Sequence, residues 1–389
     1  MTSTPWAFSK IRSPLLAAST SKSDPWQAAA ELAAELNHPD LRWVVFFCSA
    51  EYPLPQLAEA LNQAFPAQEL VGCTTAGELG LQGYAQGSIT ALGFSQQAFS
   101  LAMTLIQPLE NFSLAEAQKE VNQLLATSKL NFAGQGQHFA MTLFDGLSSQ
   151  EELALVALNA ALGGIPHFGG SAGDDIQLAN THVFVEGAFH TQAAVLILFT
   201  THLPFEVFTT HHMLPLETKL VVTEADAVQR RVYELNARPA AEVYAELTGV
   251  AVAKLSPLTF ALHPLAVKLG QDFYVRSIQK VHADLSLTFY CAVGKGSVLT
   301  AMQPQPLLPD LQRRFAGIQS RIGKPLMTLG CDCFLRRLES EQRDEKEAAS
   351  AFLREHRVIG FNTYGEHHAG LHVNQTFTGV VLGEGDASQ

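Results

Sequence analysis

The sequence predicts an α/β protein in which layered sheets are flanked by helices and divided between two domains, with an α+β arrangement as the alternative. Two domains are expected because 389 residues exceed what one ordinary core contains. The α/β class follows from helix and strand patterns that alternate through the first half of the chain. A change of composition after Thr223 places the boundary, so the predicted domains are 25–223 and 224–383.

The first domain opens with a predicted helix over 25–36, where Asp24 suits the N-cap and Pro25 suits the first helical position. The apolar run 43–47 then predicts a buried strand, and Pro55 begins a second, short helix. Strands and helices continue to alternate after this point. The further predicted strands lie near 70–75, 88–94, 138–144, 181–186 and 193–199, and the further helices near 114–127 and 150–162.

The second domain opens with two predicted helices, 226–235 and 239–247. A long helix over 334–356 carries charges of alternating sign, which is typical of a solvated face. Strands complete this domain. They are predicted near 273–277, 286–293, 326–330, 358–363 and 380–382.

Composition excludes several classes of protein. A formal net charge of -12 with no run of basic residues argues against nucleic acid as a partner. Five cysteines without a Cys-x-x-Cys pair indicate reduced thiols, and we expect a cytoplasmic protein. The N-terminal segment lacks the apolar core of a signal peptide, and no apolar run is long enough to cross a bilayer, so we expect no membrane partner.

Two glycine-containing turns end predicted strands about one hundred residues apart, and each combines hydroxyl groups with a carboxylate. Neither turn matches a phosphate loop or a dinucleotide fingerprint. They are either structural turns at corresponding edges of one sheet or the walls of a small-ligand pocket. The polar residues of such a pocket would be Thr74, Thr75, Glu78, Ser171, Asp174 and Asp175.

Histidines supply the other candidate site. His211 and His212 are adjacent between two strand-like segments, and His182 begins a third strand; imidazole is a ligand for transition metals and haem iron. The alternative is that one ring of the pair packs while the other faces water. His367, His368 and His372 could bind a metal, but their glycine-rich surroundings favour an exposed loop.

Enzymatic chemistry has little support in this sequence. Cys331 and Cys333 lie close to two arginines, but no histidine or asparagine partner is apparent for a thiol nucleophile. Ser171 lacks the Gly-x-Ser-x-Gly elbow. We therefore expect a protein that is not an enzyme.

Several motifs, in order along nine-tenths of the chain, resemble the FIST family, with a FIST N domain followed by a FIST C module. The motifs are Val71-Gly-Cys-Thr-Thr-Ala-Gly-Glu78, Gly169-Gly-Ser-Ala-Gly-Asp-Asp175, Leu220-Val-Val-Thr223, Ala237-Arg-Pro-Ala240, Gly330-Cys331, Gly360-Phe-Asn-Thr-Tyr-Gly-Glu366 and Asn374-Gln-Thr376. This resemblance implies a sensory module for small ligands in signal transduction, without catalytic activity.

A narrower resemblance is to the nitric-oxide-sensing NosP branch of that family. It rests on Thr210-His211-His212, on Val275-Arg-Ser-Ile-Gln-Lys280, and on the lack of a fused kinase or methyl-accepting domain in the sequence. This branch implies haem b, nitric oxide as the ligand, and a partner that is a histidine kinase or a cyclic-di-GMP enzyme.

The resemblance implies an axial imidazole from the first domain, with His212 and His211 as the leading candidates and His182 next. Only one of two adjacent strand residues can face the iron. Arg230, Arg231 or Arg276 would pair with the haem propionates. The competing hypotheses are a receptor for an amino acid or similar metabolite, built on the two glycine turns, and a scaffold that binds partners without a ligand.

Overall fold

The computed structural model describes residues 13–384 and confirms the α/β class, with four sheets flanked by helices. The prediction about a signal peptide concerns a segment that begins outside this range. Within residues 13–384, no helix is both long and apolar enough to span a bilayer.

The chain begins with two units of the same element order. The first contains β1 (Leu15–Thr20), α1 (Pro25–Glu35), β2 (Leu41–Ser49), α2 (Leu54–Ala64), β3 (Glu69–Thr75), β4 (Glu78–Gly80), β5 (Gly83–Ala85) and β6 (Ile89–Ser95). The second contains β7 (Phe99–Ile106), α3 (Leu114–Asn131), β8 (Gln137–Phe144), α4 (Glu151–Leu162), β9 (His167–Ser171), β10 (Val183–Val185), β11 (Ala188–His190) and β12 (Ala194–Thr201).

A third unit starts with β13 (Phe205–Thr210) and is interrupted by an insertion. The insertion contains β14 (Met213–Asp226), β15 (Arg231–Leu235), β16 (Arg238–Pro239), α5 (Ala240–Thr248), a 3-10 turn (Val252–Lys254), α6 (Pro257–Leu262), β17 (Leu265–Leu269), β18 (Asp272–Arg276), β19 (Ile278–Val281), β20 (Leu287–Phe289) and β21 (Val298–Pro304). The unit then resumes with α7 (Leu307–Ile322), β22 (Pro325–Cys333), α8 (Phe334–Gln342), α9 (Lys346–Glu355), β23 (Val358–Thr363), β24 (Glu366–His368), β25 (Leu371–Val373) and β26 (Phe377–Gly383).

The three units share one sheet topology and exchange their hairpins. The orders are β1-β6-β2-β3-β10-β11, β7-β12-β8-β9-β24-β25 and β13-β26-β22-β23-β4-β5. The last two strands of each sheet form a hairpin that belongs to another unit. The hairpin β4–β5 of the first unit pairs in the sheet of the third unit, and β10–β11 of the second unit pairs in the sheet of the first. The hairpin β24–β25 of the third unit pairs in the sheet of the second, so the three units close into a ring.

Backbone hydrogen bonds follow the same three-fold pattern where the strands end. Ala76 N–H donates to the Asn362 carbonyl at 2.9 Å, and Tyr364 N–H donates to the Ser171 carbonyl at 3.3 Å. The third bond runs from Gly173 N–H to the Thr74 carbonyl at 3.0 Å. These three bonds close a cycle, so the ends of β3, β9 and β23 meet at one junction.

One glycine per unit explains how the strands approach so closely. A Cβ atom on Gly72 or Gly169 would lie 2.1 Å from a carbonyl oxygen of the neighbouring strand, and one on Gly360 would lie 1.8 Å away. No side chain fits these distances. The main apolar core lies inside the ring, since its buried residues come from all three six-stranded sheets.

Several expectations about elements and turns were wrong. Residues 231–235 form β15 rather than a helix, since Arg230 adopts φ 52° and turns the chain back. The helix expected over 334–356 breaks at Asp344, where φ is 57°. The first part of its charged face is buried rather than solvated, since Arg336 is 1% exposed. The two glycine turns end strands of different sheets rather than two edges of one sheet. The boundary predicted between 223 and 224 lies within β14 and stays a prediction.

Candidate functional site

His212 lies just after β13, in a buried polar network. Its Nε2 is 2.9 Å from Glu339 Oε2, and Arg336 donates to its Nδ1 at 2.7 Å. Arg336 also donates to Asp332 at 2.7 Å, and the Tyr84 hydroxyl donates to that same carboxylate at 2.6 Å. Burial lowers the pKa of His212 and Arg336 adds to this, against the opposing effect of Glu339. Both ring nitrogens are engaged, so His212 does not fit the role of an iron ligand.

His211 points the other way and lines a cavity of about 440 Å³, which is within the usual range for small-ligand sites. The Met213 N–H donates to its Nδ1 at 3.3 Å. We call this space the His211 cavity. Its walls are Thr209, Thr210, His211, Asp272, Phe273, Tyr274, Val275, Arg314, His368, Val373 and Thr376.

Two polar atoms of these lining residues are buried and have no hydrogen-bond partner within the described part of the chain: Arg314 Nε and His368 Nδ1. Among residues 13–384, the ion-pair contact of Arg314 is the 3.8 Å approach of its NH2 group to Glu206. Burial lowers the pKa of His368, and the nearby Arg314 charge lowers it further, so this ring is neutral at pH 7. The cavity therefore combines an incompletely paired cation, a neutral imidazole and aromatic walls.

His182 belongs to a different place, between β9 and β10, where its backbone exchanges hydrogen bonds with Thr74. Its ring meets Phe189 edge-on with the centroids 6.2 Å apart. His182 is not among the residues that line the His211 cavity. The structure thus does not bring the three predicted axial candidates together.

The residues predicted for a metabolite pocket do meet at the three-unit junction, but they are bonded to the protein's own groups. Thr75 donates to Glu78 at 2.5 Å, and the Ser88 hydroxyl donates to its other oxygen at 2.6 Å. Burial raises the pKa of Glu78 to about 7, although these hydrogen bonds oppose the rise. Asp174 accepts the Tyr364 hydroxyl and three backbone N–H groups of the 178–180 segment.

The other three residues are similarly engaged, and Thr74 accepts the His182 N–H at 3.0 Å. Ser171 donates to Glu151, and Asp175 lies 3.3 Å from the Arg337 guanidinium. The sequence analysis missed a further copy of this turn. Thr363 donates to Glu366, whose pKa burial raises to about 7. The Thr-x-x-Glu spacing shared by 75–78 and 363–366 was the signal that could have found it.

His367 and His372 lie in the hairpin β24–β25 and are buried, so the expectation of an exposed loop was wrong. The Thr142 hydroxyl lies 2.8 Å from His367 Nδ1, and His367 Nε2 lies 2.7 Å from Glu151 Oε1. Glu152 follows Glu151 at the start of α4. These side chains form a second polar cluster, which also includes Arg230 and Cys291.

The three arginines proposed for propionates are committed elsewhere. Arg230 donates to Glu152 at 2.5 Å, and Arg231 donates to Asp284 at 2.7 Å. Arg276 donates to the His372 carbonyl at 3.2 Å. None of the three is among the residues lining the His211 cavity.

The family comparisons agree with the motifs of the sequence. The model described as the FIST N domain matches residues 42–238, and the model described as the FIST C domain matches residues 240–369. The two matches together cover nearly the whole chain. No curated protein matches it.

Proposed function

Since the chain belongs to the FIST family, we propose that it is a non-catalytic sensor whose small ligand binds in the His211 cavity. FIST domains are sensory modules of signal transduction and are not a catalytic family. The observation that carries the proposal is the pair of unpaired polar atoms, on Arg314 and His368, among the lining residues. A buried polar group without a partner costs free energy, so a ligand that supplies an acceptor would bind favourably there.

Haem b, with nitric oxide as the sensed gas, is the first candidate ligand. The resemblance to the NosP branch supports it, as does the place of His211 in the cavity wall. His211 would hold the iron through Nε2, which puts the ring proton on Nδ1 and breaks the contact with Met213 N–H. Phe273 and Tyr274 would face the porphyrin, and Arg314 would pair with a propionate. Bound ferrous haem would supply the centre at which nitric oxide binds.

An amino acid or a similar carboxylic acid is the second candidate, favoured by a specific pair of charges. Arg314 suits a carboxylate, and Asp272 in the same walls suits an ammonium group. Such a ligand also fits a cavity of about 440 Å³ without moving His211. The metabolite site predicted at Thr74, Glu78 and Asp174 stays a prediction, but its polar groups already bond to one another.

The partner proposed for this sensor is a histidine kinase or a cyclic-di-GMP enzyme, as the NosP resemblance implies. A ligand can change such a partner only if it binds two states of the sensor with different affinity. The measurement is the activity of the purified partner with the apo and the ligand-bound sensor. Equal activity in both cases would contradict regulation of that partner.

Arg314→Gln tests the cavity for both candidate ligands. Loss of a charge-assisted hydrogen bond should weaken binding about tenfold or more. Arg313→Gln is the matched control, because Arg313 precedes it on α7, is 77% exposed and pairs with Asp310. Affinities are measured by titration with hemin and with single amino acids. Equal affinity for both variants would show that the ligand does not use this cavity.

Visible spectra separate the two ligands. If haem is native, the protein reconstituted with hemin shows a Soret band that shifts with nitric oxide, and His211→Ala loses it while His212→Ala keeps it. If a metabolite is native, the protein stays colourless and an amino acid raises its melting temperature. If the protein shows neither a Soret band nor a change in melting temperature, the proposal is overturned. A Soret band that survives in His211→Ala would overturn the haem assignment.

A further inference from the structure

Three parts of the fold meet at the second polar cluster. Glu152 lies in the first turn of α4, His372 is in β25, and Cys291 follows β20 of the insertion. One ligand atom from each of these three residues lies within 4.8 Å of the other two. Thiolate sulfur, imidazole nitrogen and carboxylate oxygen are the three ligand types that zinc prefers.

His372 is buried without being satisfied. Its side chain is 2% exposed, and neither ring nitrogen has a hydrogen-bond partner among residues 13–384. The Nε2 edge is packed against Gly365, where a Cβ atom would lie 1.9 Å from that nitrogen. The nitrogen that remains for a ligand is therefore Nδ1, on the side of the carboxylates.

The distances around His372 Nδ1 suit a shared metal. Glu151 Oε2 lies 3.3 Å from it and Glu152 Oε1 lies 3.6 Å from it. Glu151 Oε2 also lacks a hydrogen-bond partner in the described chain. Tetrahedral zinc with bonds of about 2.0 to 2.1 Å places two nitrogen or oxygen ligands about 3.3 Å apart. His372 Nδ1 and Glu151 Oε2, which contact each other as an ion pair, thus have the separation of two ligands on one edge of a zinc tetrahedron.

We propose that Cys291, His372 and Glu152 form a binding site for a divalent transition metal, zinc in the first place, with Glu151 as the fourth ligand. The site is separate from the His211 cavity and does not depend on the function proposed for it. Glu152 is 26% exposed and gives the metal a path from solvent.

Neighbouring groups already orient the carboxylates. Arg230 donates to Glu152 Oε2 at 2.5 Å, and the Ala292 N–H donates to Glu152 Oε1 at 2.7 Å. His367 holds the other oxygen of Glu151 at 2.7 Å, which leaves Oε2 facing the cluster. Such outer contacts fix the ligands of known metal sites and raise metal affinity.

Charge balance also favours a divalent cation. Two carboxylates and the Arg230 guanidinium leave one negative charge in a buried place, and a zinc ion with the Cys291 thiolate would neutralise it. The thiol proton would leave to solvent on binding. Protonation of His372 would balance the charge as well, because its Nδ1 lies 3.3 Å from Glu151 Oε2. Burial lowers the pKa of His372, but the charges of Cys291 and Glu151 outweigh it and raise this pKa well above its usual value, so a metal would have to displace that proton. A bound metal would balance the charge and would also give His372 Nδ1 and Glu151 Oε2 the partner that no hydrogen bond supplies.

The metal would join the insertion to the ring of three units, because Cys291 belongs to the insertion and the other ligands belong to the ring. Val373, beside His372, lines the His211 cavity. Metal occupancy would therefore set how firmly one wall of that cavity is held.

Cobalt substitution of the full chain tests the site. After removal of metals with a chelator, one equivalent of Co²⁺ should give a thiolate-to-cobalt charge-transfer band and the visible spectrum of a four-coordinate ion, and Zn²⁺ should displace it. Cys291→Ala should abolish the charge-transfer band. Cys48→Ala, which removes another buried thiol, should keep it.

Glu152→Gln provides a second variant that keeps the side-chain shape, and we expect it to lower Co²⁺ affinity at least about tenfold. Arg314→Gln should leave the band unchanged, so a failed ligand site and a failed metal site are distinguishable. The proposal is overturned if the wild-type protein binds no stoichiometric Co²⁺, or if the charge-transfer band persists in Cys291→Ala.

Discussion

The hairpins β4–β5 and β24–β25 have equivalent places in two sheets but carry different chemistry. Leu79 pairs with Tyr84 in the first, and His367 pairs with His372 at the same positions of the second. Tyr84 ends in a network in which Asp332, Arg336 and His212 bond to one another. Neither ring nitrogen of His372 makes a hydrogen bond among residues 13–384, and its Nδ1 has only ion-pair contacts, the shorter at 3.3 Å to Glu151 Oε2.

This comparison separates what the repeat determines from what the side chains determine. The ring places each hairpin beside a strand of another unit, whatever residues it contains. The third hairpin, β10–β11, has Phe184 opposite Phe189 at the same positions and is apolar. The same backbone arrangement therefore holds a closed polar network at β4–β5, an apolar contact at β10–β11 and an incompletely bonded polar cluster at β24–β25. Binding chemistry is expected at the last of these, because its buried polar atoms are not all hydrogen-bonded.

The largest expected effect is at the closed network. Arg336→Met removes a 1% exposed cation and leaves the carboxylates of Asp332 and Glu339 without it, so the free energy of unfolding should fall by about 3 to 5 kcal/mol. Arg238→Met is the control, since its ion pair with Glu246 is exposed and should contribute little to stability. Urea unfolding measures both. Similar losses would mean that the network at Tyr84 is not a closed, buried one.

An intermediate effect concerns the turns that precede the two hairpins. Glu78 and Glu366 have a pKa of about 7 in the folded protein, raised by burial from 4.5. A carboxyl group whose pKa is raised on folding makes its full contribution to stability below pH 4.5. This contribution is lost as pH rises through about 7. The difference between the folded and unfolded pKa values corresponds to about 3 kcal/mol of folding free energy for each carboxyl group.

Glu78→Gln and Glu366→Gln should each flatten the dependence of stability on pH between pH 5 and pH 8 by about that amount. Urea unfolding at several pH values measures the change, with the wild-type protein as the reference. If one variant flattens the profile and the other leaves it unchanged, the two turns share their geometry but differ in how their carboxyl groups titrate.

The smallest effect is expected at the apolar hairpin. Phe189 contacts Phe184 edge-on at 4.9 Å between centroids and also meets Phe46. Phe189→Leu should therefore lower the free energy of unfolding by about 1 kcal/mol, the usual worth of aromatic contacts. Thermal unfolding measures it. A loss as large as that of Arg336→Met would contradict the ranking of the three hairpins.

Local patterns in the sequence predicted much of the fold. Asp24 and Pro25 begin α1 as expected, since Asp24 accepts the Gln27 N–H as an N-cap, and the apolar run 43–47 lies inside β2. The motifs around Gly72 and Gly169 marked two of the three equivalent strands. The third strand was predicted near 358–363, but its equivalence to the other two was missed, because the insertion separates β13 from the rest of its unit and the period of the repeat is lost.

The chemistry of the sites was less accessible. Arg336 and Glu339 were predicted to lie on a solvated helix face, because alternating charges do not reveal that another element covers that face. His372 read as part of a loop, because its neighbours Glu152 and Cys291 are distant in sequence and come from other parts of the fold. The placement of His211 and His212 on opposite sides of the chain was expected from strand geometry, but which of them faces a cavity was not.

The exchange of hairpins has a consequence for ancestry. A single unit on its own would have a bare strand edge at one end and a hairpin of matching register at the other, so three separate copies could assemble head to tail into the same closed ring. Fusion of three such copies would have freed the individual hairpins to diverge, since the covalent chain then maintains the assembly.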